Sequence, residues 1–153
     1  MKLTNKIVVF DLDGTLIDTL PDIAYALNKT AQKFNINNIN KNELKRLLSY
    51  GSMTLIKKQF ELSYNDYSEK DLIPALDFFI KYYSKNLSTY SQLFPGILDC
   101  LIWLKKHGIK MSVCTNKYEK LAKKIIENLG INNFFSSVTG SDTFKYRKPN
   151  PFH

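Results

Sequence analysis

The chain is poor in the residues that build sulfur and imidazole centres. It has two cysteines and two histidines in 153 residues. Cys100 falls in a predicted helix and Cys114 at the end of a predicted strand. A zinc site takes more ligands at closer spacing, so the pattern argues against one. Two buried free thiols are the expectation for a chain of this kind. His107 lies near a helix end and His153 at the terminus, which argues against a histidine-centred site. Long apolar runs are also absent. Nothing approaches the roughly 20 residues that span a bilayer, and the four apolar residues before Asp11 are too few for a signal peptide. The expectation is a cytoplasmic chain with no membrane partner. There is no internal repeat and no low-complexity linker. Acids are scarce: 14 against 22 Lys and Arg, a net charge of +8. The lysines are scattered (Lys29, Lys33, Lys57, Lys81, Lys105, Lys123) and not clustered with interleaved aromatics, so a solvated basic surface is expected and a nucleic-acid partner is not. A mild attraction for anionic substrates is compatible with that surface.

What is present fits one domain with a modest insertion. Ile7-Val8-Val9-Phe10 reads as a buried strand of a parallel sheet. After Thr15 the pattern turns helical. Pro21 suits a first turn, and Ile23, Leu27, Ala31 and Phe34 form an apolar stripe. Asn40 with Glu43 resembles a capping box that opens a second helix. Gly51 breaks it, and a third helix follows to about Leu62. Ser68 with Asp71 opens a fourth. Pro95-Gly96 marks a boundary. Beyond it, a helix over 97–106, a strand over 109–114, a helix over about 118–129 and a short strand over 137–139 alternate, which implies right-handed crossovers and a parallel sheet.

Ligands in open α/β sheets bind at the carboxyl ends of the strands. Three segments would converge there: Asp11 and Asp13 after the first strand, Thr115-Asn116 after the second, and Lys148. A nucleophilic carboxylate, a second carboxylic acid, a hydroxyl and a cation are what phosphoryl transfer requires. Asp11 would attack phosphorus and Asp13 would exchange a proton with the leaving oxygen and then with water. Thr115 and Lys148 would hold the non-bridging oxygens. Two carboxylates repel a phosphate dianion, so a divalent cation is expected, and hard oxygen ligands favour Mg²⁺.

The residues resemble a known family. Asp11-Leu12-Asp13-Gly14-Thr15-Leu16 is similar to the first motif of the haloacid dehalogenase superfamily, Thr115 to its second and Lys148-Pro149 to its third. Asp18-Thr19-Leu20-Pro21-Asp22-Ile23, Phe94-Pro95-Gly96, Thr115-Asn116-Lys117 and Arg147-Lys148-Pro149 resemble the phosphoglycolate phosphatases and their near relatives. The resemblance implies an α/β fold: a Rossmann-like parallel sheet core over residues 1–16 and 94–153, incomplete at its C-terminus, with an inserted all-helical cap over residues 17–93. It implies a Mg²⁺-dependent phosphatase acting on a small phosphorylated metabolite, phosphoglycolate first, through an aspartyl-phosphate. A pyrophosphatase, a sugar phosphatase, a phosphomutase and a non-catalytic fragment are the alternatives. The implied roles are Asp11 and Asp13 as catalytic and metal residues, with the Asp13 backbone carbonyl as a metal ligand. Thr115, Asn116 and Lys148 are the implied phosphate ligands, and Thr15 and Gly51 lie on the substrate and cap side. The second Gly usual two positions after Gly51 is Met53 here. Dehalogenating relatives lack an acid where Asp13 stands, so the resemblance favours phosphate esters. The fourth motif, a strand ending in Gly-Asp whose acids complete the Mg²⁺ site, has no counterpart: no acid follows Lys148. Asp142 is a weak substitute, because a similar Gly-Asp in relatives does not ligate metal. The strands that would flank Ile7–Phe10 on its far side are likewise not found, so that strand is expected at an edge.

Overall fold

The computed structural model describes residues 6–152. They form two compact units. The first gathers the segments up to Asp18 and from Gln92 onward, and the second is Thr19–Ser91.

The first unit is a three-stranded parallel sheet in the order β1-β4-β5, with β1 at Ile7–Phe10, β4 at Lys110–Cys114 and β5 at Ser137–Thr139. The register pairs Val8 with Met111 and Phe10 with Val113, then Val113 with Val138. Side chains alternate along a strand, so Val8, Phe10, Met111 and Val113 share one face. The crossover helices are α5 (Ile97–Lys106) and α6 (Glu119–Asn128). Both connections step the same way across the sheet, and right-handedness puts both helices on the same face. There Leu101, Met111, Val113, Ala122, Ile125 and Ile126 are buried, and Phe10 meets Phe135 edge to face at 6.2 Å. Among the described residues the other face is less covered, with Ser112 and Cys114 half-buried. Ile7 and Val9 are 61% and 59% exposed, so β1 is not the buried strand its apolar run suggests. A run of four apolar residues fits a buried or a half-covered strand equally well. The thiols also depart from expectation: Cys100 is exposed on α5 and Cys114 is half-buried.

A two-residue ribbon, β2 (Ile17–Asp18) against β3 (Gln92–Leu93), is antiparallel and belongs to this unit. The units therefore part at 18/19 and 91/92, where the motifs placed the division at 16/17 and 93/94. Strands of two residues carry no periodicity for a sequence reading to detect.

The second unit is helical: α1 (Leu20–Phe34), α2 (Lys41–Leu47), α3 (Ser52–Glu61) and α4 (Glu69–Lys85). Its core is Ile23, Leu27, Leu44, Leu55, Ile56, Phe60, Leu72, Phe79 and Tyr83, all buried. The Asn40 side chain accepts the Glu43 N–H at 2.9 Å and caps α2. At α4 the Asp71 carboxylate accepts both the N–H and the hydroxyl of Ser68 at 2.8 Å. Those two bonds hold the Asp71 carboxyl below its ordinary value, backbone bond first. Gly51 joins a short 3-10 turn to α3 at φ 90°. The buried Asp22 carboxylate in the first turn of α1 accepts the Ser91 hydroxyl at 2.6 Å and the Ser91 and Tyr90 N–H groups at 2.8 and 3.1 Å. The start and end of this unit are thereby tied together.

Candidate active site

The site is built at the carboxyl ends of β1 and β4. Directly after β1 the Leu12 carbonyl accepts three N–H groups, from Thr15, Leu16 and Ile17 at 3.3, 3.0 and 3.1 Å. Gly14 supplies the φ of 80° that this knot needs, a conformation costly for any residue with a Cβ. The turn buries Leu12 and Leu16 completely and leaves the carboxylates of Asp11 and Asp13 on either side of Leu12 in the chain.

Each carboxylate meets a lysine. Lys148 Nζ donates to Asp11 Oδ1 at 2.8 Å and to the Cys114 carbonyl at 2.8 Å. This pair is partly open, with side chains 30% and 27% exposed. Asp11 has no further bonded partner among the described residues. Lys117 Nζ donates to Asp13 Oδ1 at 2.9 Å, and this pair is buried, with side chains 5% and 7% exposed. An opposite charge at such a distance offsets much of the cost of placing a carboxylate out of water.

Thr115 follows β4 directly. Its N–H donates to the Thr139 carbonyl at 3.0 Å, continuing the ladder toward β5. Its hydroxyl oxygen accepts the Lys117 N–H at 3.1 Å, which leaves the hydroxyl hydrogen to be given away. The Asn116 amide donates to the Lys148 carbonyl at 3.1 Å. This amide N–H braces the loop that carries Lys148. Beside it, Lys145, Tyr146, Arg147, Lys148, Pro149 and Asn150 line an open groove of about 500 Å³, whose three cations suit an anionic ligand.

The structure therefore brings Asp11, Asp13, Thr115 and Lys148 into one unit; Lys117 links Asp13 to Thr115, and Lys148 links Asp11 to the end of β4. Thr15 is exposed on the same turn. Gly51 lies in the helical unit at the head of α3. Lys117 is the residue that sequence reasoning passed over. It stood within Thr115-Asn116-Lys117 without a role, and the signal available was its place on the strand-end loop. Asp142 is not a spare metal ligand: its carboxylate accepts the Glu119 N–H at 2.8 Å and caps α6. Glu119 in turn bonds Lys123 and the Thr143 hydroxyl, and these bonds hold its carboxyl below its ordinary value. Gly140 lets that loop close on the helix. An added Cβ would lie 2.6 Å from Glu119 Cα and 2.6 Å from the Lys117 carbonyl oxygen.

A parallel sheet with paired acids at one strand end, a hydroxyl at the next and a lysine from the following loop defines an α/β protein with a Rossmann-like core whose polar groups gather at the strand ends. The family described as haloacid dehalogenase-like hydrolase matches residues 8–153, and the chain belongs to it. A phosphoglycolate phosphatase of Agrobacterium fabrum is 37% identical over 149 residues, covering 97% of this chain and 64% of that protein. One from Mesorhizobium japonicum is 33% identical over 153 residues, covering 99% and 66%. A crystal structure described as a predicted phosphoglycolate phosphatase from Haemophilus somnus superposes with a TM-score of 0.89 at 29% identity, over 96% of this chain and 67% of that one. The chain thus spans just under two thirds of the length of these curated relatives. Among the described residues, no helix is long and apolar enough to cross a membrane.

Proposed function

We propose that this fold serves a cytoplasmic phosphatase that hydrolyses a small phosphate monoester, phosphoglycolate first, with Asp11 as the nucleophile. The observation that carries the reading is the Asp11–Lys148 pair at 2.8 Å beside the buried Asp13–Lys117 pair. Asp11 is the more open of the two acids, as an attacking group must be. Its carboxylate oxygen would bond to phosphorus while the ester P–O bond breaks. Asp13, entering this step in its protonated form, would give that proton to the departing oxygen and, as the carboxylate then paired with Lys117, take one back from the water that cleaves the aspartyl-phosphate. Lys148 and the Thr115 hydroxyl would hold the non-bridging oxygens as their charge grows.

Family membership implies Mg²⁺. Among the described residues, no group of three or more His, Cys, Asp or Glu side chains could hold a metal ion. Mg²⁺, however, is commonly held by one or two carboxylates with substrate phosphate and water completing its shell. The donors here fit that looser arrangement: the Asp11 carboxylate and the Asp13 backbone carbonyl would hold the ion, while the Asp13 side chain is engaged by Lys117. When bound, the ion would offset the repulsion between substrate phosphate and the two acids.

Phosphate release from phosphoglycolate, p-nitrophenyl phosphate, pyrophosphate and sugar phosphates, with and without Mg²⁺, tests the reading. The expected result is Mg²⁺-dependent release favouring phosphoglycolate, lost by about a thousandfold or more in Asp11→Asn. Turnover by Asp11→Asn at the parent rate would remove Asp11 as nucleophile. A chain that binds phosphate but never releases it from an ester would favour the second reading, a non-catalytic phosphate-binding fragment, to which the lysine engagement of both acids also points. Isomerisation of a sugar phosphate without phosphate release would indicate a mutase.

A further inference from the structure

The helical unit holds a cavity of about 440 Å³ between the end of α1, the α3–α4 loop and the first turns of α4. That size lies within the range of small-molecule sites. Phe34, Phe60, Tyr64 and Tyr67 line it. Phe60 is buried and fixes the wall, with the rings of Tyr64 and Tyr67 at 5.7 and 5.8 Å from its own. The Tyr67 hydroxyl donates to Glu61 at 3.4 Å. Burial first, and then the Glu61 charge, raises the phenol above its ordinary value.

The cavity also carries Asp66, Lys70 and Asp71. Asp71 is engaged by Ser68 through both a backbone and a side-chain bond. Asp66 and Lys70 have no bonded partner among the described residues. They stand four apart in sequence, a spacing at which opposite charges on a helix join. Asp66, however, precedes the first residue of α4, and the pair does not form. One cavity therefore presents an unengaged carboxylate, an unengaged ammonium and four aromatic rings. Ring faces and a carboxylate together suit a ligand ammonium. An ammonium in the same lining suits a ligand carboxylate.

We propose that this cavity is a binding site for a zwitterionic small molecule of the free amino-acid class with an apolar or aromatic side chain. Its ammonium faces Asp66, its carboxylate faces Lys70, and its side chain stacks on the rings. The site lies wholly within residues 34–74 and stands independently of the phosphatase reading.

Titration of the isotope-labelled 153-residue chain with L-phenylalanine, read by amide chemical shifts, tests it. The expected result is saturable shifts centred on residues 60–74, with a dissociation constant on the order of 1 mM, the affinity a dozen non-hydrogen atoms give. Asp66→Asn and Lys70→Met should each weaken binding about tenfold. Both residues are exposed, so the spectra of the variants should otherwise match the parent. Phenethylamine should bind with dependence on Asp66 only, and 3-phenylpropionate with dependence on Lys70 only. No saturable shift up to about 20 mM, shifts centred outside the cavity, or binding indifferent to both substitutions would overturn the proposal.

Discussion

Replacing Lys117 with Met isolates the energetic role of the buried pair. Met keeps most of the stem volume and removes the ammonium. What remains is the Asp13 carboxylate, 7% exposed, without the cation now 2.9 Å away. Breaking a buried ion pair by deleting one partner costs about 3–5 kcal/mol, because the surviving charge must be kept out of water uncompensated. Asp13 has further interactions beyond this pair, so the lower end, about 3 kcal/mol, is expected. Against a total stability of about 5–15 kcal/mol this is a large fraction. Urea unfolding followed by the fluorescence of Trp103 measures it, because that single tryptophan sits on α5 in the same unit. With a slope of about 2 kcal/mol per M, the midpoint should fall by about 1.5 M. Asp13→Asn should be destabilising as well. The double variant should lie at least about 1.5 kcal/mol above the sum of the two losses, because removing both charges leaves neither stranded. A midpoint shift below about 0.3 M, or strict additivity in the cycle, would refute the view that each charge is there to compensate the other.

Three other expectations rest on separate contacts. Gly140→Ala forces a Cβ against the Glu119 and Lys117 backbones; a thermal melt should fall by about 5 °C or more, and an unchanged melting temperature would show that the loop can yield. Asp22→Ala removes the acceptor for the Ser91 hydroxyl and for the Tyr90 and Ser91 N–H groups. It should cost about 2–4 kcal/mol and raise amide hydrogen exchange at Ser91, and parent-level protection there would count against the tie. The carboxyls of Asp71 and Glu119 titrate below their ordinary 3.8 and 4.5 in the folded chain. A depressed value contributes stability that is present above the ordinary value and lost as pH falls through the folded one. Circular dichroism should therefore show α4 and α6 loosening below about pH 4, and Asp71→Asn should abolish the α4 part of that change.

The features legible in the sequence are those whose partners lie within one turn or one strand. The Asn40–Glu43 and Ser68–Asp71 caps span three residues and could be read directly. So could the helices that follow them, because an apolar stripe is a local pattern. The strand-end acids were legible only through the joint pattern: an Asp pair after a strand is often a turn and helix-cap pair, and it was Thr115 and Lys148, following in order after later strands, that gave the pair a chemical reading. Lys117 was not, because its partner lies 104 positions earlier and nothing local distinguishes a buried lysine from a solvated one. The Asp142 cap and the Gly140 approach hide for the same reason, since both depend on how the end of β5 meets α6. The edge position of β1 was legible, because no counterpart of the strands that would flank it could be found, and β1 does lie at the sheet edge; which face leaves Ile7 and Val9 exposed was not, because an apolar residue announces affinity for a core but not which face will be covered.

Sheet register connects these two kinds of information. Val8 and Phe10 lie opposite Met111 and Val113, and that match is set by which residues must face the helices. One position further along, the same register brings Asp11 beside the end of β4, where the Cys114 carbonyl shares Lys148 with it and where Thr115 begins. A slip of one residue would turn Met111 and Val113 outward and would also carry Thr115 and Lys117 about 3.3 Å along the strand, beyond reach of Asp13. The apolar alternation that builds the core and the polar geometry of the site are therefore one constraint. It follows that Met111→Asp, which places a charge on the helix-covered face 2% exposed, should abolish folding and phosphate binding together, whereas Ser112→Asp, at the half-buried neighbouring position on the opposite face, should leave both close to the parent. Loss of binding in a fully folded Ser112→Asp chain would show that the site answers to more than register.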